Sequence, residues 1–313
     1  MVSCFVGGSV IDVADSASKA ETVEVKKRRL REALRQARIS ASMTQKAAAD
    51  QLVWSNSKIV RIEQGIVPVT PTDVRALLQL YRVTEESRVD QLVELAKNAR
   101  EDKGWSAFND VLSLAALELF GNEPAAKVIY KYEPSVIPGL FQTQDYARSL
   151  LKVLGNSEEQ IERRLEARVQ RQTLLEQSVR PELNFILGET ALSRPVGGYE
   201  VMREQVAHLL ELSKMEGISV FLLPFFAGGH RGMGSAFTVL QFEDPLLSDL
   251  LYLENAERES TSRDEAGEIK KYLELFVELQ DMASTSGSFG DHISRIVRER
   301  YSEDDPAKQG RME

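Results

Sequence analysis

The sequence predicts an all-α N-terminal domain of five helices followed by a larger α+β domain. Three observations predict it. The chain has 313 residues, against the roughly 150 of a typical single domain. Helical periodicity runs from Val25 to about Glu101, whereas apolar runs suited to buried strands begin only at Ala126. Charge also changes sign along the chain. Residues 1–22 carry net −2, residues 23–100 carry 15 basic and 9 acidic side chains, and residues 101–313 carry 23 and 36. Within an overall charge of −9, a basic block precedes an acidic body. Such asymmetry fits a module that meets phosphate joined to a body that does not. Chance variation between segments is the plain alternative.

Composition sets further bounds. A hydrophobic content of 42% with 28% charged residues suffices for a sizeable core and excludes a wholly disordered chain. The longest strongly apolar run, Ile218 to Ala227, is interrupted by Pro224, and a bilayer needs about 20 apolar residues. No membrane span is expected. The first residues lack the basic region of a secretory signal. The single cysteine, Cys4, excludes an internal disulfide framework or a cysteine-rich zinc site. A cytoplasmic, nucleoid-associated location fits.

Each element has a local reason. Residues 1–24 form a flexible leader without period. Helical spacing then places Val25, Leu30, Ala33, Leu34 and Ala37 near one face of a basic helix that ends at Ser40. Thr44 caps a helix from Gln45 to Leu52, and Ser55 caps the next, which stops at Gly65. Thr70 or Thr72 starts a fourth helix through Tyr81, and a fifth spans about Glu85 to Glu101. The expected boundaries are 25–103 for this domain, 104–300 for the body and 301–313 for a flexible tail. In the body, Ser106–Phe120, Thr143–Leu154, Ser157–Ser178, Tyr199–Glu216, Asp264–Met282 and Phe289–Tyr301 read as helices. Ala126–Tyr132, Glu182–Leu187, Ile218–Leu223, Ala236–Glu243 and Asp249–Glu254 read as strands, the last three apolar enough for burial on both faces.

The run Thr44 to Gly65 has a helix-turn-helix pattern. Ala47, Ala48, Leu52, Ile59 and Ile62 are small or apolar where two helices cross closely. The second helix begins with a cap, Ser55, and then presents Asn56, Ser57, Lys58 and Arg61. These polar and cationic side chains suit base edges and phosphates. Gln45, first in the preceding helix, offers its amide and backbone N–H to a phosphate. Lys27 and Arg28 in the basic first helix add sequence-independent phosphate contacts. A plain helical hairpin would need no cations at the exposed start of its second helix.

This segment resembles the Cro/C1-type helix-turn-helix regulators, matching their pattern from Thr44-Gln45 to Arg61-Ile62-Glu63-Gln64-Gly65 without a gap. The resemblance implies that Gln45, Asn56, Ser57, Lys58 and Arg61 face DNA and that Arg38 and Glu63 form a structural ion pair. Val53 stands where the turn usually has glycine, so a wider or differently wound turn is expected. Further runs resemble the actinobacterial WhiJ-like, antitoxin-like regulators: Trp54 to Lys58, Asp73 to Leu78, Tyr132-Glu133-Pro134, Ile137 to Thr143, Arg168 to Gln172, Arg194 to Gly198 and Leu223-Pro224-Phe225. That resemblance implies repression or activation from DNA and a separately encoded small partner protein.

The loop Gly228-Gly229-His230-Arg231-Gly232-Met233-Gly234 lacks the lysine of a phosphate-binding loop. It reads as a wide hairpin connection. Alternatively, with Phe225, Phe226, His230, Arg231 and Met233, it forms a surface for a partner or small-molecule effector. The charged run Glu158 to Glu176 reads as a solvated helix face or a partner surface. Glu254 ends a strand, where a carboxylate faces either a pocket or water. His208, His230 and His292 lack metal-ligand spacing, and no nucleophile or metalloprotease motif occurs. No cofactor, metal or enzymatic activity is expected. The chain reads as a DNA-binding regulator that works on double-stranded DNA as a homodimer. The rival reading is an antitoxin-like protein that sequesters a small partner, with DNA binding for autoregulation.

Overall fold

The computed structural model describes residues 22–101, 104–254, 259–262, 267–284 and 288–301. The leader up to residue 21 and residues 302–313 of the expected tail lie outside the described residues. Tyr301, expected as the first tail residue, is instead buried and donates its hydroxyl to the Leu192 carbonyl at 2.6 Å. Five helices open the fold: α1 Val23–Ser40, α2 Gln45–Leu52, α3 Asn56–Glu63, α4 Pro71–Leu80 and α5 Glu86–Glu101. Thr22, Thr44, Ser55 and Thr70 each cap the following helix through a side-chain oxygen. The first helix therefore starts at Val23, two residues ahead of the expected start at residue 25. At Thr70 the cap is reciprocal, because Asp73 also accepts from the Thr70 N–H. Leu30, Leu34, Ala48, Ile59, Ile62, Val74 and Leu77 form one core. Each large apolar side chain there contributes about 1.5–3 kcal/mol by leaving water.

The body holds a six-stranded sheet. Its strands are β1 Val128–Glu133, β2 Glu182–Gly188, β3 Ile218–Leu223, β4 Ala236–Gln241, β5 Leu250–Glu254 and β6 Glu259–Ser262, in the spatial order β3-β2-β1-β4-β5-β6. The pairs β1–β2 and β2–β3 are parallel. The pairs β1–β4, β4–β5 and β5–β6 are antiparallel. Helices α6 Leu114–Asn122, α7 Gln144–Val153, α8 Glu158–Gln172, α9 Glu189–Ser193, α10 Tyr199–Leu212, α11 Glu268–Ser284 and α12 Phe289–Arg300 surround it. Period-two alternation divides each of β1 to β5 between two cores. Ile129, Phe185, Leu222 and Leu250 join the core that includes α10 and α12. Tyr132, Ile186, Val239 and Leu251 pack with Phe276 and Leu279 of α11. Burial on both faces explains the nearly continuous apolar runs.

Several boundaries differ from expectation. The segment 106–120 is not one helix: a 3-10 turn at Gly104–Phe108 precedes α6, which restarts on a Ser113 cap. Helix α8 yields to a 3-10 turn after Gln172, and α10 ends at Leu212, ahead of Gly217 at φ +75°. The short elements α9 and β6 carry too few residues to show a period. The connection from β3 to β4 is no hairpin, because β2 and β1 lie between them. It crosses the carboxyl ends of the parallel strands.

Candidate nucleic-acid interface

Helices α2 and α3 meet through a tight turn centred on Val53. This residue adopts φ 55°, ψ 38°, the left-handed region. The Trp54 N–H reaches the Ala49 carbonyl at 2.9 Å and the Val53 N–H reaches Asp50 at 3.3 Å. These are the two bonds of a Schellman ending. The turn is therefore neither wide nor differently wound, contrary to expectation. Left-handed backbone costs a residue with a Cβ about 1–2 kcal/mol, and the close approach of Ala48 and Ala49 to the core offsets it. Val53 itself points outward, 91% exposed.

One ionic network fixes the far end of α3. Arg38 donates to Glu63 through Nε at 2.6 Å and Nη2 at 2.9 Å, and through Nη1 to the Met43 carbonyl at 2.7 Å. The two charged side chains are only 12% and 7% exposed. The hydrogen bond to Glu63 holds the Arg38 pKa above its usual value. Gln45 Nε2 also donates to Glu63, at 2.8 Å. Burial, with Glu63 nearby, pushes the Tyr81 hydroxyl up to about 12.

The first turn of α3 stands open. Asn56, Ser57 and Arg61 are exposed, and the Ser55 hydroxyl accepts from the Lys58 N–H at 3.3 Å. Lys58 is engaged elsewhere. Its Nζ donates to Asp73 at 2.7 Å and sits 3.6 Å above the Trp54 ring, bracing α3 against α4. Of the six helix-turn-helix candidates, Asn56, Ser57 and Arg61 thus face solvent. Ser55, also exposed, serves as a cap, while the partly exposed Lys58 ammonium is paired with Asp73 and the Gln45 amide with Glu63. Lys46, exposed in the first turn of α2, joins this surface. Its place beside Gln45 was the available signal.

The basic first helix is directed differently from the expected phosphate contacts. Arg28 is fully buried, so it is withdrawn as a DNA contact. Its guanidinium donates to Asn122 Oδ1 at 3.3 Å and to the Ser248 carbonyl, 4.5 Å from the Phe242 ring centre. Arg29 pairs with Asp244 at 2.6 Å and Arg31 with Glu118 at 3.1 Å. Thr22 donates to the Gly121 carbonyl, and Glu24 accepts from the Trp105 N–H. The N-terminal half of α1 is therefore the seam between the domains. Lys27 lies in that half, half-buried. At 1.5 Å per residue it stands about 16 Å along the axis from Arg38. Part of the basic excess binds the acidic body instead of facing outward.

In the body, the segment after Leu223 forms two 3-10 turns, Phe225–Ala227 and Arg231–Gly234. Phe225, Phe226 and Met233 are 58%, 65% and 71% exposed. His230 meets Tyr132 edge-on with ring centres 6.0 Å apart, and burial lowers its pKa. Arg231 pairs with Glu278 of α11 at 3.1 Å. Gly232 is wedged so closely that a Cβ would lie 2.8 Å from Leu279 Cδ1. Packing against α11 and Tyr132 thus shapes the loop, which leaves its three apolar side chains outside.

A helix-turn-helix domain model matches residues 29–92. A second model, described as a domain of unknown function (DUF5753), matches residues 117–293, more than half of the chain. The chain belongs to the DUF5753 family. No curated protein and no solved structure matches it significantly. In this DUF5753 protein the helix-turn-helix match covers α2, α3 and α4 together with most of α1 and the first part of α5, and the family's own domain begins within α6. Among the described residues, no helix is long and apolar enough to cross a membrane, and no group of three His, Cys, Asp or Glu side chains is placed to hold a metal ion.

Proposed function

We propose that the protein is a sequence-specific transcription regulator of the Cro/C1 type, with the WhiJ-like organisation of a DNA-reading domain and a sensing body. One observation carries the reading. A rigid, capped α3 exposes Asn56, Ser57 and Arg61 together on its first two turns, while Glu63 and Lys58 lock the helix from behind. Such a helix inserts into the major groove, where Asn reads adenine and Arg reads guanine through paired hydrogen bonds. Lys46 and the N-terminus of α2 lie alongside for phosphate. A homodimer on a two-fold site supplies the affinity that one module lacks. The body binds a small partner protein or an effector, and the protein acts in the cytoplasm without catalysis.

Selection of duplexes from a random library by the full chain tests this. A recovered consensus with two symmetric half-sites supports the reading, and a library that stays random after several rounds refutes it. The antitoxin-like alternative draws on the exposed Phe225, Phe226 and Met233 surface. It predicts a stoichiometric small protein that copurifies from the native cell and releases the DNA.

A further inference from the structure

A cleft of about 660 Å3 opens at the carboxyl end of β1, beside the start of β4 and the end of β5, between the sheet, α6, α7 and α8. Its walls are partly apolar, with Leu119, Phe120, Leu151 and Tyr252 among them. Its charges do not cancel. Lys131 faces Glu133 at 3.4 Å, and Arg171 clasps Glu123 at 2.5 and 2.8 Å. That leaves Arg164 and Arg168 against one carboxylate at the rim, Glu254. Arg168 Nη1 and Arg164 Nε are shut off from solvent without a hydrogen-bond partner, as is the Gln142 Oε1 acceptor. Burial, with the Arg171 and Arg164 cations close by, pushes the Arg168 pKa down to about 10. It remains charged at neutral pH. An unpaired donor atom shut off from solvent on a half-buried cation is costly unless a ligand meets it. Clefts outside the carboxyl ends of parallel strands are the usual ligand position in such sheets.

We infer that this cleft binds a small organic anion with an apolar body, its carboxylate, sulfonate or phosphate held by Arg168 and Arg164. The inference deepens the sensing half of the function proposed above and specifies the ligand's chemistry. The cleft is also mechanically placed. Ala116, Leu119 and Phe120 on one face of α6 line it. On another face of the same helix, Glu118 pairs with Arg31 and Asn122 accepts from Arg28. Arg31 in turn lies against Gly65 at the end of α3, where a Cβ would overlap its guanidinium. An occupant that shifts α6 therefore acts on the end of the recognition helix through Arg31, and on α1 through Arg28.

The test uses the full chain and two fluorescent probes of similar shape. These are 1-anilinonaphthalene-8-sulfonate, an aryl sulfonate, and uncharged N-phenyl-1-naphthylamine. The wild type should bind the sulfonate about tenfold more tightly than the neutral probe, as a charge-assisted hydrogen bond requires. Arg168→Gln should remove that preference and leave the neutral probe within about twofold of wild type, while Arg168→Lys keeps part of it. Equal sulfonate affinity in wild type and Arg168→Gln would overturn the proposal, as would no preference in the wild type. The ligand-free melting temperature guards against misfolding. Relief of a buried unpaired charge should raise it in Arg168→Gln, whereas an unfolded or strongly destabilised variant would mark Arg168 as a structural strut and also overturn the proposal. Because neither readout involves DNA, failure here is separable from failure of the DNA-reading proposal.

Discussion

Val53 shows what a single residue reveals and conceals. The absence of glycine in the turn was visible in the sequence, but its consequence was not. A strain of about 1–2 kcal/mol is small beside the helix packing that the turn secures, so the backbone keeps its tight form and the side chain accepts φ 55°. Val53→Gly should therefore stabilise the N-terminal domain by about 0.5–1 kcal/mol, less than the full strain because glycine also loosens the unfolded chain. Denaturant unfolding measures this, and a destabilised variant would show that the valine makes contacts beyond its backbone. Glu63 presents the opposite case. It closes bonds from both Arg38 and Gln45, and its removal leaves a nearly buried guanidinium without its carboxylate. Glu63→Ala should cost about 3 kcal/mol and lower the melting temperature. A fully stable Glu63→Ala domain would contradict the network's structural role.

At the scale of elements, the caps made the helices legible. Thr44, Ser55 and Thr70 each precede a helix start and accept its N–H. The strands were legible because both faces are apolar, and their order was not, because no local signal says that β4 pairs with β1 instead of β3. Within α3, residue type alone separates outward from inward positions only roughly. Lys58 reads as a DNA contact, and the fold also gives its ammonium a partner, Asp73, 15 residues away on α4. Asn56 and Arg61 retain open side chains. Asn56→Ala should cost about 1–3 kcal/mol on the selected duplex and nothing on unrelated DNA. Competition binding with both duplexes checks it, and equal losses on the two would remove Asn56 from base readout.

For the molecule as a whole, the division of charge serves two ends. The sequence shows a basic block and an acidic body, and reading the block as a phosphate-facing surface takes Lys27 and Arg28 of the first helix as DNA contacts. Folding reveals that Arg28, Arg29 and Arg31 face the body, contacts 87 to 220 residues apart in sequence that no local pattern encodes. The helix α1 thus belongs to both domains and ties the orientation of the reading head to the body. Arg28→Ala should cost about 2–3 kcal/mol, since the guanidinium's charged hydrogen bonds are lost with its ring stacking. Calorimetry should then resolve two unfolding steps where the wild type shows stronger coupling, and an unchanged single transition would refute the seam.

The central claim is that α3 reads DNA while the first half of α1 holds the body. Fluorescence anisotropy of the full chain on the selected duplex and on a random duplex, across a salt series, tests it most directly. Arg61→Ala should collapse the ratio of the two affinities by about tenfold or more, whereas Arg28→Ala should leave that ratio and the salt slope unchanged in the folded protein. The opposite pattern would contradict the account: an unchanged ratio for Arg61→Ala, together with a folded Arg28→Ala that loses about one unit of salt slope on both duplexes.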